Sequence, residues 1–202
     1  MADKRIGITG TIGSGKSTVG ECLRRRGLSV LDADACVHTL YKDCVELRRA
    51  LSATFGGACL TADGVNRAFF ADLIFKDSAA REKLEALVYP YLTGSVQDFF
   101  AAHSGPAFLE AALLHRIPQV VNLLDQVWLV DAPAGVRLER LVSRGLSRED
   151  AKRRIDAQGD IATLAALWTG CGTPLIKINN EGSPEQLEDH VNVTLESLVK
   201  AR

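Results

Sequence analysis

Residues Gly10-Thr11-Ile12-Gly13-Ser14-Gly15-Lys16-Ser17 satisfy the pattern G-x-x-x-x-G-K-[ST] in full. An apolar run at 6–9 precedes the stretch and reads as a strand, and residues 16–26 follow it as a helix, the context such a loop requires. The glycines let the backbone turn sharply with N–H groups aimed inward, and the helix start adds positive potential. Lys16 is placed to reach β and γ phosphates, and Ser17 to hold Mg²⁺. The pattern implies binding of a nucleoside triphosphate; alone, it does not separate a kinase from a GTPase, a helicase or a switch protein.

Outward from the loop, further short apolar runs at 28–31, 107–110, 127–130 and 175–178 read as buried strands separated by helical stretches. This alternation predicts an α/β fold, a parallel sheet with helical crossovers. Residues 62–103 break the pattern with a helical insertion, expected as two helices at 79–89 and 92–102. A second departure, 144–168, is Arg-rich and opens on Ser147-Arg148-Glu149-Asp150, a helix-capping signature that suggests a surface lid. Ser183-Pro184-Glu185-Gln186 opens a last helix running toward Leu198. The expected organisation is one domain over 1–202, with the insertion and the lid built into it.

Composition narrows the class. Hydrophobic residues make up 47% and charged residues 24% of 202 residues, as in ordinary globular proteins. A formal charge of -1 argues against nucleic acid as the main partner. Arg24-Arg25-Arg26 reads as a solvated helix end. The five cysteines, at 22, 36, 44, 59 and 171, form no C-x-x-C pair, so reduced thiols are expected rather than a zinc ribbon or a disulfide framework. No apolar span reaches membrane length and no signal-peptide core is present, and a cytoplasmic protein is expected. The four histidines are isolated; His115 reads as an exposed turn residue, and no zinc site is expected. Trp128 reads as core, and Trp168 as packing near the lid.

The second strand ends in Leu31-Asp32-Ala33-Asp34. Carboxylates at the carboxyl end of a parallel strand lie on the edge where ligands bind. Transfer of a phosphoryl group to an alcohol needs a carboxylate to orient the hydroxyl and accept its proton, and Asp32 and Asp34 are both candidates. Either can instead cap the following helix, and a division of the two roles is expected.

The loop, the Asp-Ala-Asp after the second strand, Asp63-Gly64-Val65-Asn66-Arg67 with Ile74-Phe75, the lid stretch Arg144-Gly145-Leu146-Ser147 continuing to Arg154-Ile155 and Gln158, and Ile178-Asn179-Asn180 together resemble the dephospho-coenzyme A kinase family over nearly the whole chain. The resemblance implies a fold like that of nucleoside monophosphate kinases and transfer of the γ-phosphate of ATP to the ribose 3′-hydroxyl of dephospho-coenzyme A, with Mg²⁺. It implies ATP binding by Gly10, Thr11, Ile12, Gly13, Ser14, Gly15, Lys16, Ser17, Thr18 and Asn180, the last near the adenine. Asp34 is then the base, Lys16 steadies the transferring phosphate, Arg144 enters from the lid as a further catalytic residue with Arg154 as another lid candidate, and Ser17 ligates the metal. Arg67, with Tyr89 and Asp34, falls to the acceptor, and a guanidinium suits acceptor phosphates.

Two places depart from the family pattern. Tyr89-Pro90 stands where the family has His-Pro, and Ala112-Leu113-Leu114-His115-Arg116 stands where it has Pro-Leu-Leu followed by Glu. Tyr keeps an aromatic hydrogen-bonding group without a charge near neutral pH, while Arg116 reverses the sign of the Glu. Two other readings of the same residues are a kinase for another small-molecule hydroxyl and a nucleotide-binding regulatory protein with weak turnover.

Overall fold

Strands form where the apolar runs lie, each a few residues long and flanked by turn residues or helix caps. The computed structural model describes residues 3–158, 161–168 and 172–200. In chain order the strands are β1 (Arg5–Gly10), β2 (Ser29–Asp32), β3 (Leu60–Thr61), β4 (Gly64–Val65), β5 (Ala107–Glu110), β6 (Gln126–Asp131) and β7 (Leu175–Asn179). The helices are α1 (Lys16–Arg25), α2 (Ala33–Asp43), α3 (Val45–Phe55), α4 (Arg67–Lys76), α5 (Ser78–Ala101), α6 (Pro118–Val121), α7 (Ala134–Ser143), α8 (Arg148–Gln158), α9 (Ile161–Ala166) and α10 (Pro184–Lys200). The chain forms two compact units, Met1–Leu31 with Phe100–Arg202, and Asp32–Phe99.

The first unit is built on a five-stranded sheet in the order β2-β5-β1-β6-β7. β1 pairs in parallel with β5 and β6, and β6 with β7, in register Ile8↔Trp128 and Val130↔Ile178. The α/β sheet with flanking helices is thus the fold expected from the alternating runs. Ile6 and Ile8 point to one face, where Cys22 and Leu23 of α1 and Leu187 and Val191 of α10 complete a core with Phe108 and Trp128. Gly7 points to the other face, where any side chain would collide with Leu114 and Leu124. Trp128 is core as expected, fully buried and tilted against Phe108 at 5.2 Å between ring centroids. Arg25 and Arg26 at the end of α1 pair with Glu188 at 3.3 and 2.9 Å, partly exposed contacts.

The second unit packs α2 to α5 and the β3–β4 hairpin around Leu47, Leu51, Cys59, Phe70, Leu84 and Val88. Here one expectation is corrected: 79–89 and 92–102 are not two helices but one, α5, running through Pro90. Pro90 removes a hydrogen bond and strains the preceding turn, which in isolation ends a helix. Burial overrides it. Ala80, Leu84, Val88, Leu92 and Val96 recur every fourth residue and are all buried, so the apolar stripe continues across the proline.

Local signals set the helix starts. Asp32 Oδ1 accepts from the N–H groups of Asp34 and Ala35 at 2.8 and 3.1 Å and opens α2. Ser183 and Gln186 exchange reciprocal hydrogen bonds at the start of α10, and Ser147 Oγ accepts from Asp150 N at α8. Cys22, Cys36, Cys44 and Cys59 are free thiols, and Cys171 lies outside the described residues. Among the described residues no helix is long and apolar enough to cross a membrane.

Candidate active site

β1 delivers the chain into the glycine-rich turn and α1 takes it out, so the phosphate loop is held at both ends by core elements. Gly15 is the cap of α1 with φ 97°, a conformation that favours glycine, and a Cβ there would collide with the side chain of Asn180. Lys16 Nζ donates to the Gly10 carbonyl at 3.0 Å and to that of Thr11 at 3.4 Å, keeping the ammonium at the mouth of the loop. Ser17 and Thr18 are exposed in the first turn of α1. Thr11 Oγ1 and Ser14 Oγ are buried without a hydrogen-bond partner. Such orphaned hydroxyls are costly unless a ligand satisfies them, so the loop fits a bound phosphate chain.

Behind the loop stands a polar cluster. Asn180, buried just beyond β7, donates through Nδ2 to the Ser14 carbonyl at 2.7 Å. Arg140, from the last turn of α7, donates through Nη2 to the Asn180 carbonyl at 3.0 Å and to its Oδ1 at 3.1 Å. Its Nη1 lies 3.4 Å from the carbonyls of Gly13 and Ser14. Burial first, and the neighbouring Arg144 charge second, hold Arg140 below its ordinary pKa. Gly15, Thr18, Arg140, Arg144, Asn180 and Pro184 border a cavity of about 240 Å³. Arg144 and Arg154 are both exposed.

Two residues from the lid stretch and α7 touch the loop from other sides. Gln158 Oε1, at the end of α8, accepts from the Ile12 N–H at 2.5 Å. Arg137 is 6% exposed, its backbone packs against Gly13, and its Nε and Nη1 are buried without a hydrogen-bond partner. Glu110 ends β5 beside β1, 9% exposed and against Gly20 of α1. Reading of the sequence did not single out Arg137, Arg140 or Glu110. An arginine on an amphipathic helix and a glutamate closing a short strand carry no periodic signal; burial marks Arg137 and Glu110, and hydrogen bonds to distant segments mark Arg140.

His115 is not the exposed turn residue expected. It sits half-buried in a 3₁₀ turn, its Nδ1 is buried without a partner, and burial, then the adjacent Arg116 charge, push its pKa down. Leu113, His115 and Arg116 line a cavity of about 230 Å³ together with Gln158, Leu164 and Leu167. Trp168 is 2% exposed, with its indole N–H buried and unpartnered.

In the second unit the cap falls to Asp32, while Asp34 is exposed in the first turn of α2. Arg67 opens α4 after the cap Asn66, whose Oδ1 accepts from Phe69 N at 3.1 Å. Its Nη1 lies 3.5 Å from His38 Nδ1, and with His38, Tyr41, Lys42, Asp63 and Val65 it lines a cavity of about 280 Å³. Burial pushes the Tyr41 phenol up, and the Arg67 charge partly opposes it. Tyr89 is half-buried on α5 and is not among the residues around that cavity.

Residues 4–167 match the family model described as dephospho-CoA kinase. The chain is 34% identical over 191 residues to the dephospho-CoA kinase of Geobacter sulfurreducens, covering 92% of this chain and 94% of that one. It is 34% identical to the Aquifex aeolicus dephospho-CoA kinase over 200 residues, covering 98% of each. A crystal structure from Thermus thermophilus superimposes with a TM-score of 0.77 at 31% identity, covering 98% of this chain and 99% of that one.

Proposed function

Because the chain belongs to the dephospho-CoA kinase family and is therefore a phosphotransferase, we propose that it moves the γ-phosphate of ATP to the ribose 3′-hydroxyl of dephospho-coenzyme A, giving coenzyme A and ADP. The observation that carries this reading is the complete phosphate loop with its two buried, unpartnered hydroxyls, in a chain of this family.

In this reading the loop from Gly10 to Thr18 holds the phosphates, and the cavity beside Arg140, Arg144 and Asn180 takes the adenine. The acceptor is held by the helical insertion, 62–103. Arg67 and Lys42 give the second unit's cavity a cationic wall suited to the acceptor's phosphates. Tyr89, outside that cavity, is assigned to the acceptor on the family resemblance alone. Asp34 removes the 3′-hydroxyl proton as the oxygen attacks the γ-phosphorus. The bond from that phosphorus to the β–γ bridging oxygen breaks, ADP leaves, and the proton remains on the Asp34 carboxyl. The capping of α2 by Asp32 Oδ1 supports a division in which Asp32 holds the helix start and Asp34 serves the chemistry. Lys16 and Arg144 offset charge on the transferring group. Ser17 would hold Mg²⁺, which supplies charge neutralisation at the β and γ oxygens when bound. The lid, 144–168, closes over the substrates and excludes water, which protects ATP from wasteful hydrolysis.

The test is phosphate transfer from ATP with Mg²⁺ to dephospho-coenzyme A, coenzyme A, adenosine or no acceptor, following ADP and the phosphorylated product together. Product with dephospho-coenzyme A alone is expected. ADP release that is indifferent to acceptor, or transfer to a different hydroxyl, would overturn the acceptor assignment.

A further inference from the structure

We infer that the cavity lined by His115, Gln158 and Leu164 receives the purine base of the acceptor, and that His115 determines specificity for adenine there. The inference rests on the dephospho-coenzyme A reading above and names a subsite that reading leaves open.

The cavity, about 230 Å³, lies within the first unit and is lined by the chain beyond β5 and by α8 and α9. Two hydrogen bonds set it beside the phosphate loop. The Ala112 carbonyl accepts from Thr9 Oγ1 at 3.3 Å, one residue before the loop begins, and Gln158 accepts from the Ile12 N–H within it. In the acceptor, one ribose carries both the base and the reacting 3′-hydroxyl, whereas the pantetheine arm is joined beyond two phosphates. The base is therefore the group that can occupy a subsite next to the loop while the hydroxyl meets the γ-phosphate. The size agrees. Pockets that enclose a whole drug-sized ligand run to roughly 300–1,000 Å³, so this smaller one suits a single heterocycle rather than the complete acceptor.

The lining fits a flat group with a polar edge. Leu113, Leu164 and Leu167 supply apolar surface, and Leu113 and Leu167 are among the large apolar side chains left exposed. His115 Nδ1 is buried without a hydrogen-bond partner, which is costly unless a ligand satisfies it. Burial and the Arg116 charge favour the neutral ring, and with its proton on Nε2 that ring offers Nδ1 as an acceptor. Gln158 is the complement: its Oε1 is taken by the Ile12 N–H, so its amide NH₂ remains to donate. Adenine presents an amino donor next to a ring-nitrogen acceptor, a pattern that one acceptor and one donor can pair. Hypoxanthine has a carbonyl in place of the amine and sets an acceptor against His115 Nδ1. Ala112 to Arg116 is also one of the two stretches that depart from the family pattern, so this contact belongs to the chain's own residues.

The experiment compares two acceptors, dephospho-coenzyme A and its deaminated analogue carrying hypoxanthine, in the unaltered protein and in His115→Phe, which keeps a ring without the acceptor nitrogen. The unaltered protein should favour the adenine acceptor in kcat/KM. In His115→Phe a fall on the order of tenfold is expected for dephospho-coenzyme A, with KM for ATP unchanged and the preference between the two acceptors narrowed, as one missing hydrogen bond requires. A second readout does not depend on turnover. With isotope-labelled histidine, the nitrogen resonance of His115, identified by its absence from His115→Phe, should move when dephospho-coenzyme A is added and stay in place with phosphopantetheine, which has the arm but no base. An acceptor preference untouched by His115→Phe, or an equal loss for both acceptors, would overturn the inference, as would a His115 resonance that ignores dephospho-coenzyme A or answers phosphopantetheine equally. Transfer by the unaltered protein keeps the two readings apart: its absence removes the acceptor assignment, whereas transfer with the His115 resonance unmoved removes this inference alone.

Discussion

Gln158 at the end of α8 accepts a hydrogen bond from the backbone N–H of Ile12 at 2.5 Å, so a side chain of the lid stretch rests on the third residue of the phosphate loop. A neutral hydrogen bond of this kind has a net worth of about 0.5–1.5 kcal/mol, roughly two- to tenfold in a rate. Gln158→Ala is expected to lower kcat/KM for ATP by that factor. Gln158→Glu can accept the same bond but brings a negative charge toward the phosphates, so its loss should be larger, and should shrink as salt is raised. Steady-state kinetics at varied ATP and ionic strength measure both. A Glu variant as active as the unaltered protein would mean that Gln158 stands clear of the phosphates during turnover.

The two aspartates after β2 should separate cleanly. Asp34→Asn removes the proposed base and is expected to reduce kcat by about 10²–10⁴-fold while ATP binding is kept. Asp32→Ala removes the cap of α2, with an expected cost of about 0.5–2 kcal/mol in stability. For a chain of this size each kcal/mol moves the unfolding midpoint by about 2–4 °C. Thermal unfolding and single-turnover transfer, run on both variants, should give opposite rankings. Near-normal turnover in Asp34→Asn would remove Asp34 from the chemistry.

His115 predicts a pH dependence with a definite sign. Burial and Arg116 lower its folded-state pKa from 6.5, so the unfolded chain binds the proton more readily. Its contribution to stability is then fully present above about pH 6.5 and falls as the pH drops through that value toward the folded pKa. The fall in unfolding midpoint between pH 7.5 and 5.5 should be steeper in the unaltered protein than in His115→Gln. Arg116→Ala, which removes the second cause, should flatten it partway. Equal slopes in all three would exclude His115 as the titrating group.

Pro90 is a local defect tolerated for the sake of a continuous buried stripe. Pro90→Ala restores a backbone N–H and relieves the preceding turn, and is expected to raise the unfolding midpoint by several degrees, since an interior proline costs about 3 kcal/mol in a helix. An unchanged or lower midpoint would indicate that the bend at Pro90 is needed for the packing of Leu84, Val88 and Leu92.

What the sequence made legible was whatever is written in short-range patterns. The phosphate loop announces itself because each of its residue types has a separate task at a fixed spacing, and β1, β5 and α10 were found within a few residues of their ends by apolar runs or caps. The expected boundary between 79–89 and 92–102 is not there: the apolar stripe crosses Pro90, and it becomes decisive only once Leu47, Leu51 and Phe70, the partners of Leu84 and Val88, are in place. Arg140 and Glu110 were missed for the complementary reason. Nothing in their neighbourhoods distinguishes them from solvated charges, and the contacts that do so come from segments far away along the chain. Asn180 was noticed through family resemblance, and its hydrogen bond to the Ser14 carbonyl became visible only in the fold.

The bond from Asn180 to Ser14 closes a span of 166 residues. Closing so long a span is slow compared with forming the strand–loop–helix unit that carries the motif. During synthesis the motif emerges within the first seventeen residues, but the Asn180 side chain that bonds to it arrives only when β7 has been made and has docked beside β6. A ribosome-bound chain stopped short of Asn180 therefore carries the signature of nucleotide binding without the hydrogen bond from Asn180 to the loop. The loop's full set of hydrogen bonds is therefore a late event in the life of the chain.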